Sequence, residues 1–309
     1  MVKCPQAPAD GSCQSCELYQ QEKEDSEVAD CQLRWILDQI RYKFLVMSGK
    51  GGVGKSSVAV ALALTLARRG YKVGLMDVDL HGPDVFRMLG IGDPLDLLQG
   101  QYKLPPDLAE NLKLVSVEAL MANREAAVIW RGPIKHKVIK QFLTEVNWGP
   151  LDFLILDSPP GTGDEPLTVA RSIPEAKAVI VTTPQEISLA DVRKSVDFCH
   201  KVNLEILGVV ENMGYLVCPE CGATIPLFMS QEGLRHLELL QLRLLGSLPF
   251  DPEVVAAADN GRLAEVEPQT SLFFQAMEKL VADLLLELGQ PRPGEKPSGR
   301  EPGVMKLAI

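Results

Sequence analysis

Residues 47–57 read MSGKGGVGKSS, and this stretch indicates the class of fold to which the chain belongs. From Gly49 to Ser56 it matches the pattern G-x-x-x-x-G-K-[ST], between an aliphatic run that predicts a strand and one that predicts a helix. Glycines let successive backbone N–H groups turn inward around phosphates, and the helix that follows adds the positive end of its dipole. The sequence therefore predicts a phosphate-binding loop whose contacts come from Gly49, Gly51, Gly52, Val53, Gly54, Lys55, Ser56 and Ser57.

Charged and hydroxyl side chains in and near this loop predict how the phosphates and a metal ion are held. We expect Lys55 to reach the β- and γ-phosphates and the Ser56 hydroxyl to bind Mg²⁺. Asp157 and Asp77 each end a predicted strand, and Asp79 follows two residues after Asp77. Because parallel strands meet at their carboxyl ends, these carboxylates should lie beside the loop. Asp77 and Asp157 are thus predicted Mg²⁺ ligands, Asp157 through water.

Composition limits the partners that the chain can have. Its 309 residues are 46% hydrophobic, enough for a full core, and its formal net charge is −10, which argues against nucleic acid and anionic membrane as partners. The first residues lack the apolar segment of a signal peptide, and no apolar run approaches the ~18 residues of a membrane span. We therefore expect a soluble, cytoplasmic protein.

The order of apolar runs predicts an α/β fold. Short β-branched runs alternate with helical patterns, which indicates a three-layer sandwich with a mostly parallel central sheet flanked by helices. We divide the chain into a cysteine-rich extension (1–32), a phosphate-loop ATPase domain (33–288) and a disordered Pro/Gly-rich tail (289–309). The predicted strands are 43–48, 72–77, 112–117, 152–157, 177–183, 205–212 and 243–249.

A second lysine inside the loop, Lys50, adds a resemblance to the deviant Walker A class of P-loop NTPases. That class contains the MinD and ParA positioning ATPases, the nitrogenase iron protein and the Mrp/ApbC iron–sulfur carriers. Within it the chain resembles the Mrp/ApbC proteins over about 43–285. The blocks that carry this resemblance are DVDLHGPD (77–84), WRGPI (130–134), DSPPGTGDE (157–165), TTPQEISLADVRK (182–194), VENMGYLVCPECG (210–222) and GSLPFDPEV (246–254).

The resemblance implies particular roles for residues of the loop and the strand ends. Lys50 would reach the nucleotide of a second subunit, and Asp79 would position or activate the attacking water. The segment after Asp157 would sense the γ-phosphate. The catalytic residues implied are Lys50, Lys55, Asp79 and Asp157, and the adenine contacts implied are Asn212, Pro249 and Asp251.

Cys218 and Cys221 form a Cys-x-x-Cys pair that supplies two thiolates, where a cluster or a structural zinc needs four ligands. A symmetric dimer would bring two such pairs together. The resemblance implies that a [4Fe–4S] cluster bridges the two subunits in this way. A zinc ion in the same geometry and a redox dithiol remain alternatives.

Four further cysteines, Cys4, Cys13, Cys16 and Cys31, would suffice for a complete site in one chain. Eukaryotic cytosolic scaffold members of the resembled family carry a similar extension with a [4Fe–4S] cluster. The first and last gaps between the cysteines depart from theirs, which puts Cys31 in question as the fourth ligand. Zinc and free thiols are the alternatives here.

Together these features predict an ATP-dependent iron–sulfur carrier or scaffold. It would hydrolyse ATP slowly, work as a homodimer or with a related ATPase, and deliver a cluster to apo-proteins. The alternative is a MinD/ParA-like positioning ATPase with a structural zinc at the Cys-x-x-Cys pair. A reductase like the nitrogenase iron protein would need single cluster cysteines near the switch segments, and 32–198 contains none.

Overall fold

The computed structural model describes most of the predicted ATPase domain. The described residues are 25–79, 82, 84–91, 104–105, 108, 110–116, 132–227, 237 and 239–294. The predicted ligands Cys4, Cys13 and Cys16 and the tail from 295 onward lie outside them.

The strands and helices alternate along the chain as the sequence predicts. The strands are β1 (Ile40–Met47), β2 (Val73–Asp77), β3 (Leu112–Ser116), β4 (Leu151–Asp157), β5 (Lys177–Thr182), β6 (Glu205–Glu211), β7 (Tyr215–Val217), β8 (Thr224–Pro226) and β9 (Leu244–Ser247). The helices are α1 (Asp25–Asp38), α2 (Lys55–Arg68), α3 (Val85–Met88), α4 (Gly132–Glu145), α5 (Asp164–Ser172), α6 (Glu186–Lys201), α7 (Pro252–Asp259) and α8 (Leu272–Glu287), with a 3-10 turn at Leu263–Glu265.

Within the described residues, a seven-stranded parallel sheet has the order β3-β2-β4-β1-β5-β6-β9. The α/β three-layer prediction is confirmed, and each of the seven predicted strands is present. Strand β1 is central, between β4 and β5, so the loop that follows it opens where the chain crosses from one half of the sheet to the other. Such a point is where ligands bind in open α/β sheets.

Both faces of the sheet are covered, which explains why its strands are apolar throughout. Phe44 and Val46 of β1 pack with α2 and α8 on one face. Leu45 and Met47 pack with α1, α4, α5 and α6 on the other. Every residue of β4 is buried. Alternate side chains of β1 therefore belong to two separate cores, one on each face of the sheet. The predicted phosphate loop directly follows this strand, which is packed on both sides.

The ends of the ATPase domain differ from the predicted boundaries. Helix α1 runs from Asp25 to Asp38, so the predicted boundary after residue 32 falls inside a helix whose apolar side is buried. At the other end, the Tyr71 hydroxyl donates to the Pro291 carbonyl at 2.6 Å, and the Gly294 N–H donates to Asp152 at 3.1 Å. Residues 289–294, which the sequence assigns to the tail, therefore dock on the domain.

Phe153 of β4 gives a test of the core that carries the loop. It is fully buried, and its ring centroid lies 5.3 Å from that of Tyr42 and 5.2 Å from that of Tyr71. Phe153→Ala should lower the free energy of unfolding by about 3–5 kcal/mol in a denaturant titration. The control Leu286→Ala, at a side chain that is 57% exposed, should change it by less than ~0.5 kcal/mol. A loss below about 1 kcal/mol for Phe153→Ala would contradict this packing.

Candidate functional site

The predicted phosphate loop lies between β1 and α2 and requires glycine for two separate reasons. Gly52 and Gly54 have φ of 77° and 76°, in the left-handed region that favours glycine. At Gly49 and Gly54 there is also no room for a side chain. A Cβ on Gly49 would collide with the backbone carbonyl of Asp191, and one on Gly54 would collide with the Asn212 amide. The loop is thus shaped by its own backbone and by close neighbours.

Hydrogen bonds from other segments hold the loop in place. The Ser48 hydroxyl donates to the Lys50 carbonyl at 2.9 Å, and the Gly161 N–H donates to the Ser48 carbonyl at 2.7 Å. The Asn212 amide donates from Nδ2 to the Val53 carbonyl at 2.9 Å. The loop is therefore tied to the segment after β4 and to the residue that follows β6.

The predicted metal ligands meet at the carboxyl edge of the sheet. Asp77 and Asp157 are paired residues in the parallel register of β2 and β4, and both are fully buried. The ammonium of Lys55 lies 2.5 Å from Asp157 Oδ1 and 3.1 Å from the Ser56 hydroxyl. Four residues that the sequence scatters over 55–157 thus form one cluster beneath the loop.

The surroundings of Asp77 disfavour the ionised form of its carboxyl group. Burial raises the pKa of its carboxyl well above the ordinary value, and the nearby Asp157 raises it further, whereas Lys55 lowers it. Asp77 also accepts a hydrogen bond from the Asp79 N–H at 2.9 Å. Asp79 is 9% exposed, and its Oδ1 accepts from the Gly82 N–H at 3.2 Å. A cation at this edge would relieve the repulsion between the two buried carboxylates.

The donors at this edge fit Mg²⁺. Asp157 Oδ2 is buried and has no hydrogen-bond partner among the described residues, which is a costly arrangement unless a cation or a water shares the site. Carboxylate and hydroxyl oxygens are the ligands that Mg²⁺ prefers, and it usually keeps several waters. The structure brings Ser56, Asp77 and Asp157 together as the sequence predicts; their metal-binding role stays a prediction.

Lys50 does not point to the same cluster. Its ammonium donates to Gln185 Oε1 at 2.7 Å, in the segment between β5 and α6 of the same chain. Sequence reasoning assigned no role to Gln185. The only signal was that it lies inside the block 182–194 that carries the resemblance.

The three residues predicted to contact adenine make hydrogen bonds or packing contacts within the domain. Asn212 is 3% exposed and bonded to the loop as described above. Pro249 is buried. Asp251 caps α7 by accepting from the Glu253 N–H at 3.1 Å, and it also accepts from the Ser271 hydroxyl at 2.7 Å. Their role toward adenine remains a prediction.

The Cys-x-x-Cys pair lies on a hairpin that the sequence did not predict, because β7 and β8 have only three residues each. The turn closes through the Cys218 N–H to the Ala223 carbonyl and the Gly222 N–H to the Cys218 carbonyl, both at 2.9 Å. Cys218 is half-buried and Cys221 exposed. Hydrogen bonds from the backbone N–H groups of Cys221 and Glu220 lower the pKa of the Cys218 thiol. The turn therefore favours the thiolate, which is the form that binds metal.

The remaining cysteines with a described position are separated from this pair. Cys31 is half-buried on α1. Cys199 on α6 is fully buried, 3.7 Å from the Met47 sulfur, and burial raises the pKa of its thiol to about 12. In the described ranges, no three His, Cys, Asp or Glu side chains are grouped as metal ligands.

The described helices include none that is both long enough and apolar enough to span a membrane.

The model of one protein family, the ParA-type NUBPL iron-transfer P-loop NTPases, matches residues 39–285. The chain belongs to this family. The match runs from the start of β1 into the last turn of α8, so it includes the loop, the carboxylate cluster and the hairpin.

Individual relatives agree with the family assignment. Over 254 residues the chain is 47% identical to the cytosolic Fe-S cluster assembly factor NUBP2 homolog of Culex quinquefasciatus, covering 80% of this chain and 99% of that protein. It is 42% identical over 255 residues to the iron-sulfur cluster carrier protein of Methanococcus maripaludis, covering 81% and 88%. A solved nucleotide-binding protein from Archaeoglobus fulgidus, in complex with ADP, is 34% identical with a TM-score of 0.64, covering 77% and 94%.

The thiols of the domain should differ sharply in reactivity. In reduced, metal-free protein at pH 8, iodoacetamide should label Cys199 at least ~100-fold more slowly than Cys218 and Cys221, because its pKa of about 12 leaves almost no thiolate. Peptide mass spectrometry over time measures the rates, and labelling in denaturant supplies the control for intrinsic reactivity. Equal rates for Cys199 and Cys221 in the folded protein would show that the hairpin is not selectively accessible.

Proposed function

We propose that the protein is an ATP-dependent iron–sulfur cluster carrier or scaffold of the cytoplasm. The observation that carries this proposal is a thiolate-favouring Cys-x-x-Cys turn rooted beside a phosphate loop. Relatives that cover most of this chain are named as cytosolic Fe-S cluster assembly factor and iron-sulfur cluster carrier, which supports the same function.

One hydrogen bond and a short segment of chain join the phosphate loop to the cysteines. The Asn212 side chain bonds to the Val53 carbonyl, and β7 starts three residues later at Tyr215. The root of the hairpin is fixed by the Gly214 N–H to the Leu248 carbonyl at 3.0 Å and by the Phe250 N–H to the Tyr215 carbonyl at 2.7 Å. A movement of the loop around phosphates would therefore act on the hairpin through Asn212. This is how nucleotide state would control cluster loading and release.

The residues of the cluster have distinct proposed tasks toward ATP. Lys55 would leave Asp157 for the β- and γ-phosphates, and the inward N–H groups of the loop would hold the phosphate oxygens. Asp79 would position the attacking water. When bound, Mg²⁺ would neutralise phosphate charge, held by Ser56, Asp77 and, through water, Asp157. Hydrolysis would be slow, because its purpose is to change the conformation of the protein.

The cluster itself is the cargo, and one chain offers only half of its ligands at the hairpin. Cys218 and Cys221 supply two thiolates, and a [4Fe–4S] cluster takes four. A second subunit, either a copy of this chain or a related ATPase, would supply the other pair and would pass the cluster to an apo-protein. Lys50 of each subunit would contact the nucleotide of the other.

A second candidate function has less support. The Cys-x-x-Cys turn also suits zinc, and a positioning ATPase would need it only as a structural site. However, the matching family model is described as iron-transfer. Metal analysis separates the two candidates.

ATP turnover tests the role assigned to Lys55. Lys55→Ala should lower it by at least ~100-fold, because the variant lacks the cation that would neutralise the γ-phosphate in the transition state. Lys279→Ala, at an exposed lysine of α8, is the matched control and should keep normal turnover. Phosphate release from MgATP measures both, and undiminished turnover in Lys55→Ala would refute the assigned role of the loop.

Metal content tests the role assigned to Cys218 and Cys221. After purification without oxygen, the double substitution Cys218→Ala/Cys221→Ala should remove about four irons and four acid-labile sulfides per dimer. Cys199→Ala should remove none, because that thiol is buried in the core. Iron, sulfide and zinc are measured per chain. Stoichiometric zinc in the unmodified protein, with no reconstitution by iron and sulfide, would overturn the carrier function and favour the zinc alternative.

A further inference from the structure

Lys50 is held within its own chain by a side chain to which neither the motif nor the proposed function gives a role. Its ammonium lies 2.7 Å from Gln185 Oε1, and both side chains are half-buried. Among the residues that the structure describes, Gln185 is the sole hydrogen-bond partner of the Lys50 ammonium. The loop lysine and the residue before α6 are thus joined by one hydrogen bond with a charged donor.

Both partners of this hydrogen bond are fixed by their backbones. The carbonyl of Lys50 accepts from the Ser48 hydroxyl at 2.9 Å. The Gln185 N–H donates to the Thr183 carbonyl at 2.8 Å, which closes a tight turn after β5. Next to Lys50, Gly49 lies against the backbone of Asp191 on α6 with no space for a Cβ. The bond therefore forms between two segments that already touch, and little chain entropy is lost in making it.

We propose that Gln185 is a positioning residue that retains Lys50 in its own subunit until ATP-dependent dimerisation releases it. This inference rests on the proposed function, in which Lys50 contacts the nucleotide of the partner. In this proposal the ammonium exchanges its bond with Gln185 for the partner's nucleotide, so dimer closure breaks the hydrogen bond. The contact with Gln185 thus stabilises the open, monomeric arrangement.

A glutamine suits such a retaining contact because its carbonyl oxygen is neutral. A hydrogen bond between a charged ammonium and a neutral acceptor is weak enough to exchange for a phosphate, which carries full negative charge. A carboxylate at the same place would carry a full negative charge and would hold the ammonium more strongly, as an ion pair. The identity of residue 185 would therefore set how readily the dimer closes.

The two substitutions at Gln185 should act in opposite directions. With Gln185→Ala, closure no longer breaks a hydrogen bond, and the dimer dissociation constant in ATPγS and Mg²⁺ should fall about threefold to tenfold. With Gln185→Glu, the ion pair holds Lys50 more firmly, and the constant should rise by at least about as much. Nucleotide affinity of the dilute monomer should stay within about twofold for both, because the proposed contact with Lys50 does not include the subunit's own phosphates.

The decisive experiment is a double-mutant cycle with Lys50→Ala on the full chain. Sedimentation velocity with and without ATPγS and Mg²⁺ gives the nucleotide-dependent dimerisation of each variant. If Gln185 acts through Lys50, both of its substitutions lose their effect in the Lys50→Ala background. The matched controls are Gln275→Ala and Gln275→Glu on α8, where the exposed glutamine bonds to the Gln269 carbonyl; they should change nothing.

The outcomes separate the inference from the function on which it rests. Opposite shifts for Gln185→Ala and Gln185→Glu that vanish without Lys50 support the retaining contact. Equal effects with and without Lys50, or weakening by both substitutions, overturn it and leave Gln185 a structural residue of the turn. Unchanged nucleotide-dependent dimerisation in Lys50→Ala alone overturns the crossing role of Lys50, which is part of the proposed function.

Discussion

The glycine loop lies in close contact with the backbone and side chains of neighbouring segments, and this contact fixes the shape of the site. At Gly49 the loop touches the carbonyl of Asp191, and at Gly54 it touches the amide of Asn212, with no room for a Cβ at either. Because these neighbours lie on α6 and after β6, the loop cannot take its shape unless half of the sheet and its helices are in place. Folding of the sheet and formation of the phosphate site are thus the same event.

This constraint also explains how a small ligand would influence distant cysteines. The loop is bonded at Val53 to Asn212, and the hairpin that carries Cys218 and Cys221 starts at Tyr215. On the other side, Lys50 is bonded to Gln185. A phosphate that draws Lys50 and Lys55 toward itself would release the contacts of both with the surrounding strand ends. The same few residues would then report the nucleotide to the hairpin and to a second subunit.

Electrostatics adds a reason for the arrangement at the carboxyl edge. Burial raises the pKa of Asp77, and the carboxylate of Asp157, in register on the neighbouring strand, raises it further; the ammonium of Lys55 partly offsets this repulsion. The ammonium of Lys55 is the cation that lies against Asp157 in this structure. Exchange of this lysine for a hydrated metal ion would preserve the charge balance at the edge, while the lysine moves to the phosphates.

Local patterns in the sequence were enough to predict the strands and the chemical groups of the site. The loop at 47–57, the seven strands of the parallel sheet and the strand-end aspartates all follow from short-range spacing and from apolar runs, so they could be predicted, with strand ends that differ from the structure by up to three residues. The two ends of the domain were predicted less well, since docking of α1 and of 289–294 depends on apolar and hydrogen-bonding partners far along the chain.

Which side chains meet could be seen only in the folded chain. Three hydrogen bonds join residues that lie 20 to 159 positions apart in the sequence, which no local pattern records: Lys50 with Gln185, Asn212 with Val53, and Ser271 with Asp251. The hairpin at 215–226 was missed for a related reason: its strands are too short to show a period, and it forms because its root is hydrogen-bonded to the segment after β9. Local spacing encodes the groups of the site, and packing of the whole domain determines how they are connected.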